Sequence, residues 1–284
     1  MWIKSMFIST YLTLVSLGLL YASWQLYASP SALEWWAVVV ALLPALAFFG
    51  WLFVWPVART APVVKSPWVL TLLAVSMLML APVQSLLAWA LVLGVGGGGW
   101  ALYQLWYSRF GRTPSKQLVV GQALPRIQLL QTDGTAVWVN DLTGPLLLMF
   151  YRGNWCPLCM AQIREVAQHY QALAARGVKT LLISSQPQDH TASLAQRMAV
   201  PFHFLVDVDN QVARQLGIEA VGGTPTGLQV LGYDSDTAMP TVVMTDPSGT
   251  IIFCDQTDNY RVRPEPDVFL QVYDNWVVQP QAKR

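Results

Sequence analysis

The sequence predicts two structural parts: an α-helical membrane region, followed by an α/β domain whose central mixed sheet is flanked by helices. The chain has 284 residues, more than the roughly 100–200 of a typical single domain. Apolar residues make up 54% and charged residues 12%, about half the charged fraction usual in soluble domains. Of the 17 Lys and Arg and 16 Asp and Glu residues, residues 1–108 contain only Lys4, Glu34, Arg59 and Lys65. The first part therefore avoids charge, as membrane-spanning regions do.

This distribution of charge sets the predicted boundaries. They are residues 1–108 for the transmembrane region, 109–116 for a polar linker, 117–278 for the α/β domain and 279–284 for a tail. The formal net charge of +1 gives no positive field that could hold a polyanion. A nucleic-acid partner is therefore not expected.

About four transmembrane helices are predicted in the first part, because one crossing needs roughly 20 apolar residues. The predicted spans are residues 6–28, 33–55, 68–81 and 86–106. A cleaved signal peptide is the alternative for the first, although its apolar stretch exceeds a usual signal core and more apolar segments follow. The last two spans are separated at Pro82, with one long helix ending at the glycines of 96–99 as the alternative.

Positively charged residues predict the orientation of these spans, because loops rich in Lys and Arg tend to stay in the cytoplasm. With four spans, every connection that carries a positive charge lies on the same side. The residues concerned are Lys4, Arg59, Lys65, Arg109, Arg112 and Lys116. The α/β domain is therefore predicted to be cytoplasmic in a multi-pass cell-membrane protein. No ionisable or cysteine side chain lies in the interior of a span, which favours an anchor over a transporter or electron conduit.

Alternating strand and helix signals predict the α/β domain. Two short strands flank the turn at Asp133-Gly134, and the apolar run 145–151 is typical of a strand buried on both faces. A helix over 157–176 has apolar residues every three to four positions and ends at Gly177. The other predicted elements are strands 178–183, 202–206, 241–245 and 250–254 and helices 191–198, 211–216 and 267–276. This alternation indicates a core of parallel strands.

The segment Trp155-Cys156-Pro157-Leu158-Cys159 lies where the central strand should end and the long helix should begin. A sulfur at a helix N-terminus faces unpaired N–H groups and the positive end of the helix dipole, and both favour the thiolate. Pro157 suits the first helical position, where its missing N–H has no cost. Cys159 lies almost one turn further on the same face, within reach of a disulfide with Cys156. We therefore predict that Cys156 attacks and Cys159 resolves.

A zinc site is the alternative for two cysteines at this spacing. The remaining candidate ligands are Cys254, His169, His190 and His203, and they show no second paired spacing. Neither a metal nor another cofactor is therefore predicted. Cys254 is predicted to be a small buried side chain on the last strand, because a lone cysteine is more often structural than reactive.

Together these segments resemble the thioredoxin-like superfamily, and more closely the peroxiredoxin-like alkyl hydroperoxide reductase/thiol-specific antioxidant (AhpC/TSA) family. The resemblance covers about residues 117–276. It is most specific in 150–159, with supporting matches in 120–125, at Asp133-Gly134 and in 239–241. It implies a thioredoxin-like fold and reduction of peroxides by the cysteine pair.

The resemblance also implies roles for further residues. Pro240 would be a cis-proline facing the cysteine pair, and Met239 would present backbone groups to a bound substrate. Arg263 lies in the segment that resembles the source of the active-site arginine. Arg152 and Trp155, close to the pair in sequence, are predicted with these three to bind substrate or stabilise the thiolate.

The predicted function is that of a membrane-anchored, thiol-dependent oxidoreductase that reduces peroxides. Typical peroxiredoxins have Thr or Ser three residues, and Pro seven residues, before the attacking cysteine, where this chain has Gly153 and Met149. Reduction of protein disulfides is therefore an open alternative, and a membrane protein whose domain only binds partners is another. The expected partners are a peroxide or disulfide substrate, an external dithiol reductant such as a thioredoxin-type protein, and the lipid bilayer.

Overall fold

The computed structural model describes residues 2–83 and 85–278, so the predicted tail 279–284 lies outside the described residues. The chain divides into two units. The first consists of residues 3–56 and 60–109, and the second consists mainly of the residues from Phe110 onward.

Within the described residues, four helices make up the first unit. They are α1 (Trp2–Ala28), α2 (Leu33–Val54), α3 (Ser66–Leu80) and α4 (Leu86–Tyr107), the last with π-helical stretches at Ala90–Gly98 and Leu102–Tyr107. Helices α1, α2 and α4 are long and apolar enough to cross a membrane. Helix α3 has 15 residues, and at 1.5 Å per residue it spans about 22 Å of a hydrocarbon core about 30 Å thick. The predicted break at Pro82 is confirmed, and three helices rather than about four have the length of a span.

Small residues bring the helices of the first unit close together. A Cβ added to Gly96 of α4 would lie 3.1 Å from the Cβ of Ala41 in α2. Close approach of this kind is typical of helices that pack within lipid. On the outer surface of the unit, Leu20, Leu80 and Leu86 are 68%, 78% and 85% exposed. So much exposed apolar surface is what a bilayer would cover.

A mixed sheet of seven strands, counted over the described residues, forms the centre of the second unit. Its strands stand in the order β2-β1-β5-β4-β3-β8-β9. They are β1 (Gln128–Gln131), β2 (Ala136–Trp138), β3 (Leu146–Phe150), β4 (Lys179–Ser184), β5 (His203–Val206), β8 (Thr241–Thr245) and β9 (Ile251–Asp255). Strands β3, β4 and β5 are parallel, and the other neighbours are antiparallel. The predicted mixed sheet is thus confirmed.

In the part of the chain that the structure describes, five further α-helices belong to this unit, and two short strands form a separate sheet. They are helices α5 (Pro157–Gln168), α6 (Tyr170–Ala175), α7 (Gln188–Met198), α8 (Gln211–Gln215) and α9 (Pro266–Val278), and the short strands β6 (Glu219–Ala220) and β7 (Thr237–Ala238). Strands β6 and β7 pair with each other and were not predicted. They bracket the segment 221–236.

The prediction of one helix over 157–176 is wrong, because the helix is divided at His169. The ring Nδ1 of His169 lies 2.9 Å from the carbonyl oxygen of Glu165. That carbonyl is the one that would accept the backbone N–H of His169 in a continuous helix, and the N–H bonds to Val166 instead. A side chain that competes for a helical carbonyl in this way ends the helix locally.

The segment 109–116, predicted as a linker, is held against the domain from Phe110 onward. The N–H of Phe110 donates to the carbonyl of Asp258 at 3.1 Å. The guanidinium of Arg112 donates to the carbonyl of Pro240 at 3.1 Å and to the hydroxyl of Thr241 at 3.0 Å. These contacts place residues 110–116 in the second unit.

The central strands place the candidate site. All five residues of β3 are buried, with Leu146, Leu148 and Phe150 packed in the core on one face of the sheet. The chain leaves β3 after Phe150 and enters α5 at Pro157, so Cys156 lies beyond the carboxyl end of a central parallel strand. This edge is where α/β sheets commonly bind ligands.

Candidate active site

Cys156 caps the N-terminus of α5, and Pro157 holds the first helical position as predicted. The backbone of Cys156 is extended, with φ −90° and ψ 107°, and its side chain makes no hydrogen bond to the N–H groups of the first turn. The prediction that these N–H groups stabilise the Cys156 sulfur is therefore wrong. The sulfur turns instead toward Cys159.

The two sulfurs of the pair lie 2.8 Å apart and are not joined by a disulfide. Cys156 is 2% exposed and Cys159 is fully buried. Two thiols this close share a proton readily once either is ionised, and they need little movement to form a bond. The predicted proximity of the pair is confirmed.

Arg263 approaches the pair from a segment more than 100 residues further along the chain. Its Nη2 lies 3.4 Å from Cys159 Sγ and 4.0 Å from Cys156 Sγ. Its Nε donates to the carbonyl of Tyr260 at 3.0 Å, and its Nη1 donates to Gln162 Oε1 at 2.9 Å. The guanidinium is thus buried and fixed with one edge against the two sulfurs.

Two arginines and the contact between the sulfurs stabilise a negative charge on the pair. Burial would raise the pKa of Cys159, but the hydrogen bond from Cys156 and the charge of Arg263, helped by the backbone N–H and charge of Arg152, lower it to about 5. Burial raises the pKa of Cys156, and the hydrogen bond and negative charge of Cys159 raise it further. The surroundings therefore favour one negative charge on the coupled pair, and its location on Cys156 at rest stays a prediction.

Arg152 and Trp155 stack on each other beside the pair. The guanidinium carbon of Arg152 lies 4.6 Å from the ring centroid of Trp155. Gly153 between them has φ +148°, and a Cβ there would come within 2.6 Å of the Trp155 indole nitrogen. The hydroxyl residue that typical peroxiredoxins have at this position would displace Trp155. The loop before Cys156 is thus built around an arginine–indole stack.

The roles implied for Met239 and Pro240 need correction. The peptide bond before Pro240 is trans, as are all others in the described residues. Trans is the lower-energy form of an X–Pro bond, and Pro240 directly precedes β8 as a strand-start proline. The N–H of Met239 donates to the carbonyl of Ile218 at 2.7 Å, and its carbonyl accepts the hydroxyl of Thr241 at 2.9 Å. The N–H is therefore already used within the buried backbone.

A polar network behind the cysteine loop was not predicted. The N–H of Asn154 donates to Gln186 Oε1 at 2.8 Å, and Gln186 Nε2 lies 3.1 Å from the hydroxyl of Tyr151 and 3.0 Å from that of Thr191. The side-chain oxygen of Asn154 also accepts a hydrogen bond from the hydroxyl of Tyr233. The sequence signal that could have identified this network is the position of Gln186 just after β4, at the same sheet edge as Cys156.

The segment 221–237 holds the cysteine loop from the other side. The guanidinium of Arg152 donates to the carbonyl of Gly223, and the hydroxyl of Thr237 donates to the carbonyl of Arg152 at 2.7 Å. Together with the bond from Tyr233 to Asn154, these contacts connect residues 152–154 to the segment at three points. The segment therefore holds the loop that precedes Cys156 in place.

Cys254 lies on β9 and packs against the core cluster that contains Leu148 and Val243. Gln256 Nε2 lies 3.2 Å from its sulfur. Burial raises the pKa of Cys254. No group of three or more His, Cys, Asp or Glu side chains in the described part of the chain is placed to hold a metal ion.

A close pair of thiols at the carboxyl end of a parallel strand, with an arginine against the sulfurs, defines a thioredoxin-like dithiol domain. Residues 120–254 match the AhpC/TSA family. This match and the mixed sheet flanked by helices support a peroxiredoxin-like domain with the thioredoxin fold in the second unit.

Curated relatives are similar to the second unit over part of their length. The domain is similar to Peroxiredoxin Bcp of Escherichia coli (strain K12), at 29% identity over 102 residues, which are 36% of this chain and 65% of the relative. It is similar to Probable nucleoredoxin 3 of Oryza sativa subsp. japonica, at 29% identity over 114 residues, which are 38% of this chain and 23% of the relative. The chain thus spans less than two thirds of the length of the bacterial relative.

Among solved structures, the chain is similar to the peroxidoxin BcpB of Mycobacterium tuberculosis. The TM-score is 0.46 and the sequence identity 17%, over 57% of this chain and 98% of that chain.

Proposed function

We propose that the chain is a membrane-anchored, thiol-dependent peroxidase. The observation that carries the proposal is the contact of two reduced sulfurs, 2.8 Å apart, with a buried arginine 3.4 Å from the more acidic one. A thiolate is the reactive form of cysteine, and an adjacent guanidinium can also stabilise the negative charge that develops on a peroxide oxygen. The match of residues 120–254 to the AhpC/TSA family points to the same chemistry.

The first step needs a thiolate at the sulfur that meets the peroxide. The coupled pair carries one negative charge, and Cys156, at the N-terminus of α5, is the sulfur that we propose attacks. Transfer of the shared proton from Cys156 to Cys159 places the charge on Cys156. Its sulfur then attacks the terminal oxygen of ROOH, so that an S–O bond forms and the O–O bond breaks. The products are Cys156 sulfenic acid and RO⁻, which takes the proton of Cys159 and leaves as ROH.

In the second step the two cysteines form a disulfide. The Cys159 thiolate attacks the sulfenic sulfur, an S–S bond forms, and the hydroxyl leaves as water after taking a proton from solvent. An external dithiol then reduces the disulfide by thiol–disulfide exchange, with a thioredoxin-type protein as the proposed donor. The short distance between the sulfurs supports fast closure before a second peroxide can react.

Anchoring in the bilayer is part of the proposal. It is supported by the three helices of spanning length and by the exposed leucines of the first unit. Helix α3 would be a fourth, short crossing, which a locally thinned bilayer can accommodate. Four crossings would put all positively charged connections on one side, so we propose a cytoplasmic catalytic domain.

Reduction of protein disulfides is the second candidate. It is favoured by Gly153, which stands where typical peroxiredoxins have a hydroxyl residue and which a side chain could replace only by displacing Trp155. The similarity to a protein named Probable nucleoredoxin 3 is as consistent with disulfide reduction as with peroxide reduction.

The test uses the full chain, reduced and solubilised in detergent, in single-turnover reactions with hydrogen peroxide and with a model disulfide. The peroxidase proposal expects fast oxidation by peroxide and slow reaction with the disulfide. Cys156→Ser should abolish peroxide consumption, whereas Cys159→Ser should consume one equivalent and stop at a sulfenic acid. Fast reaction with the disulfide alone would select the second candidate. Loss of activity in Cys159→Ser but not in Cys156→Ser would reverse the roles of the two sulfurs.

A further inference from the structure

Gln162 connects the cysteine helix to the arginine of the site. It lies on α5 three residues after Cys159, so the two side chains share a face of the helix. The residue is 4% exposed, and its Oε1 accepts a hydrogen bond from Arg263 Nη1 at 2.9 Å. Neither the helix pattern nor the family resemblance identified it.

The orientation of the Gln162 amide is fixed by its partner. With the amide reversed, its NH₂ group would face the N–H donors of Arg263, and two donors cannot form a hydrogen bond. In the orientation that remains, Gln162 Nε2 is buried without a hydrogen-bond partner among the described residues. The side chain thus keeps its contact with Arg263 although its own donor stays unsatisfied, which stability alone does not favour.

Among the described residues, the charge of Arg263 has no carboxylate partner. Within the described residues, no Asp or Glu oxygen lies within salt-bridge distance of its guanidinium. Its neighbours are a backbone carbonyl, the neutral amide of Gln162 and the two sulfurs. A buried guanidinium needs a negative partner, and the thiolate is the one within its reach.

We propose that Gln162 is a positioning residue, which holds Arg263 against the two sulfurs while leaving the whole positive charge of the guanidinium to the thiolate. A glutamate at this position could make the same contact, but its carboxylate would pair with Arg263 in competition with the sulfur. The neutral amide therefore orients Arg263 without neutralising its charge. The inference rests on the proposed function only in that a stable thiolate is what attack on a peroxide requires.

The test measures ionisation of the pair instead of catalysis. The reduced full chain in detergent is alkylated with iodoacetamide from pH 4 to 9, and modification of Cys156 and Cys159 is followed by mass spectrometry. Gln162→Glu should raise the midpoint of alkylation of the pair by at least about one pH unit, because a second carboxylate reduces the stabilisation of the thiolate. Gln162→Met, which keeps the size but removes the amide, should raise it by less.

Gln168→Glu is the matched control, because it makes the same charge change at an exposed position of the same helix. It should leave the midpoint unchanged. An unchanged midpoint in Gln162→Glu would overturn the inference, and if that variant does not fold, an unchanged midpoint in Gln162→Met would do so. A parent chain with the low midpoint but no reaction with peroxide would instead contradict the proposed function and leave the role of Gln162 intact.

Discussion

Cys159 is buried and Cys254 is half-buried, and each has an arginine nearby, yet their pKa values move in opposite directions. The pKa of Cys159 is lowered to about 5, whereas burial raises that of Cys254. Burial acts on both in the same direction, because a thiolate loses solvation when it leaves water. The difference must therefore come from what surrounds each sulfur.

The two arginines differ in how their charge is shared. Arg112, near Cys254, also interacts with the carboxylates of Asp255 and Asp258. The negative charge of Asp255 itself raises the pKa of Cys254. Arg263 has no carboxylate of this kind among the described residues, and its largest charge interactions are with the two sulfurs.

Cys159 and Cys254 also differ in their hydrogen-bond partners. Cys156 and Cys159 share a hydrogen bond between their sulfurs, and this bond lowers the pKa of Cys159. At Cys254 the donor is the neutral amide of Gln256, which lowers the pKa less than burial raises it. A buried cysteine in this fold is therefore ionised by an uncompensated cation together with a neighbouring thiol, and an arginine nearby is not sufficient.

Removal of the Arg263 charge should have the largest effect on this contrast. Arg263→Gln should slow oxidation of the pair by hydrogen peroxide at pH 7 by about two orders of magnitude, because the thiolate loses its cation and the peroxide oxygen loses its donor. Stopped-flow measurement of the single-turnover rate constant tests this. Arg112→Gln is the control and should change the rate constant by no more than about twofold. Equal losses in the two variants would mean that Arg263 has no special role.

The pH dependence of the same reaction should be the next largest effect. Because the pKa of Cys159 is lowered to about 5, the pair keeps its negative charge above that pH and gains a proton below it. The rate constant should be flat from pH 6.5 to 8 and about tenfold lower at pH 4 than on this plateau. A rate constant that still rises between pH 7 and 9 would show that the pair has an ordinary thiol pKa.

Loosening the support of the cysteine loop should have a moderate effect. Tyr233→Phe removes the hydroxyl that donates to Asn154, a contact worth about 1 kcal/mol, so the rate constant should fall roughly threefold to fivefold. Tyr170→Phe, which removes a hydroxyl from α6, is the matched control. Equal rate constants in parent and Tyr233→Phe would show that the segment 221–237 does not position the loop.

The smallest effect is expected at Cys254. Asp255→Asn removes a carboxylate that raises the pKa of Cys254, so alkylation of this cysteine should have its midpoint at lower pH, by about half a unit. Oxidation of the pair should be unchanged. A rise in the midpoint, or a change in the peroxide rate constant, would contradict the separation of the two regions.

Local patterns were sufficient to predict the frame of the site. The apolar run of β3, the proline after Cys156 and the spacing of the two cysteines together placed a close thiol pair between a strand and a helix. The predicted strand 241–245 coincides with β8. These features depend on neighbours in sequence, for which periodicity and turn residues are direct signals.

The electrostatics of the site depends on contacts that no local pattern encodes. Arg263 contacts the sulfurs although it lies about 100 residues further along the chain. The sequence prediction of a Cys156 thiolate rested on the helix N-terminus, without this contact. Gln162 lies within a predicted helix, where the sequence pattern gives a glutamine no special role. Only its hydrogen bond with Arg263 indicates why it is buried. The segment 221–236 has neither helical nor strand periodicity. The strands β6 and β7 on either side of it have two residues each, too few to give a sequence signal that differs from a loop.

The central claim is that Cys156 and Cys159 form one redox unit from which Cys254 is excluded. The most direct measurement treats the reduced full chain in detergent with one equivalent of hydrogen peroxide and maps the cysteines by mass spectrometry. We predict a disulfide between Cys156 and Cys159, formed in a single turnover, with Cys254 still reduced. Oxidation that falls on Cys254, or that leaves both members of the pair as free thiols, would contradict the account.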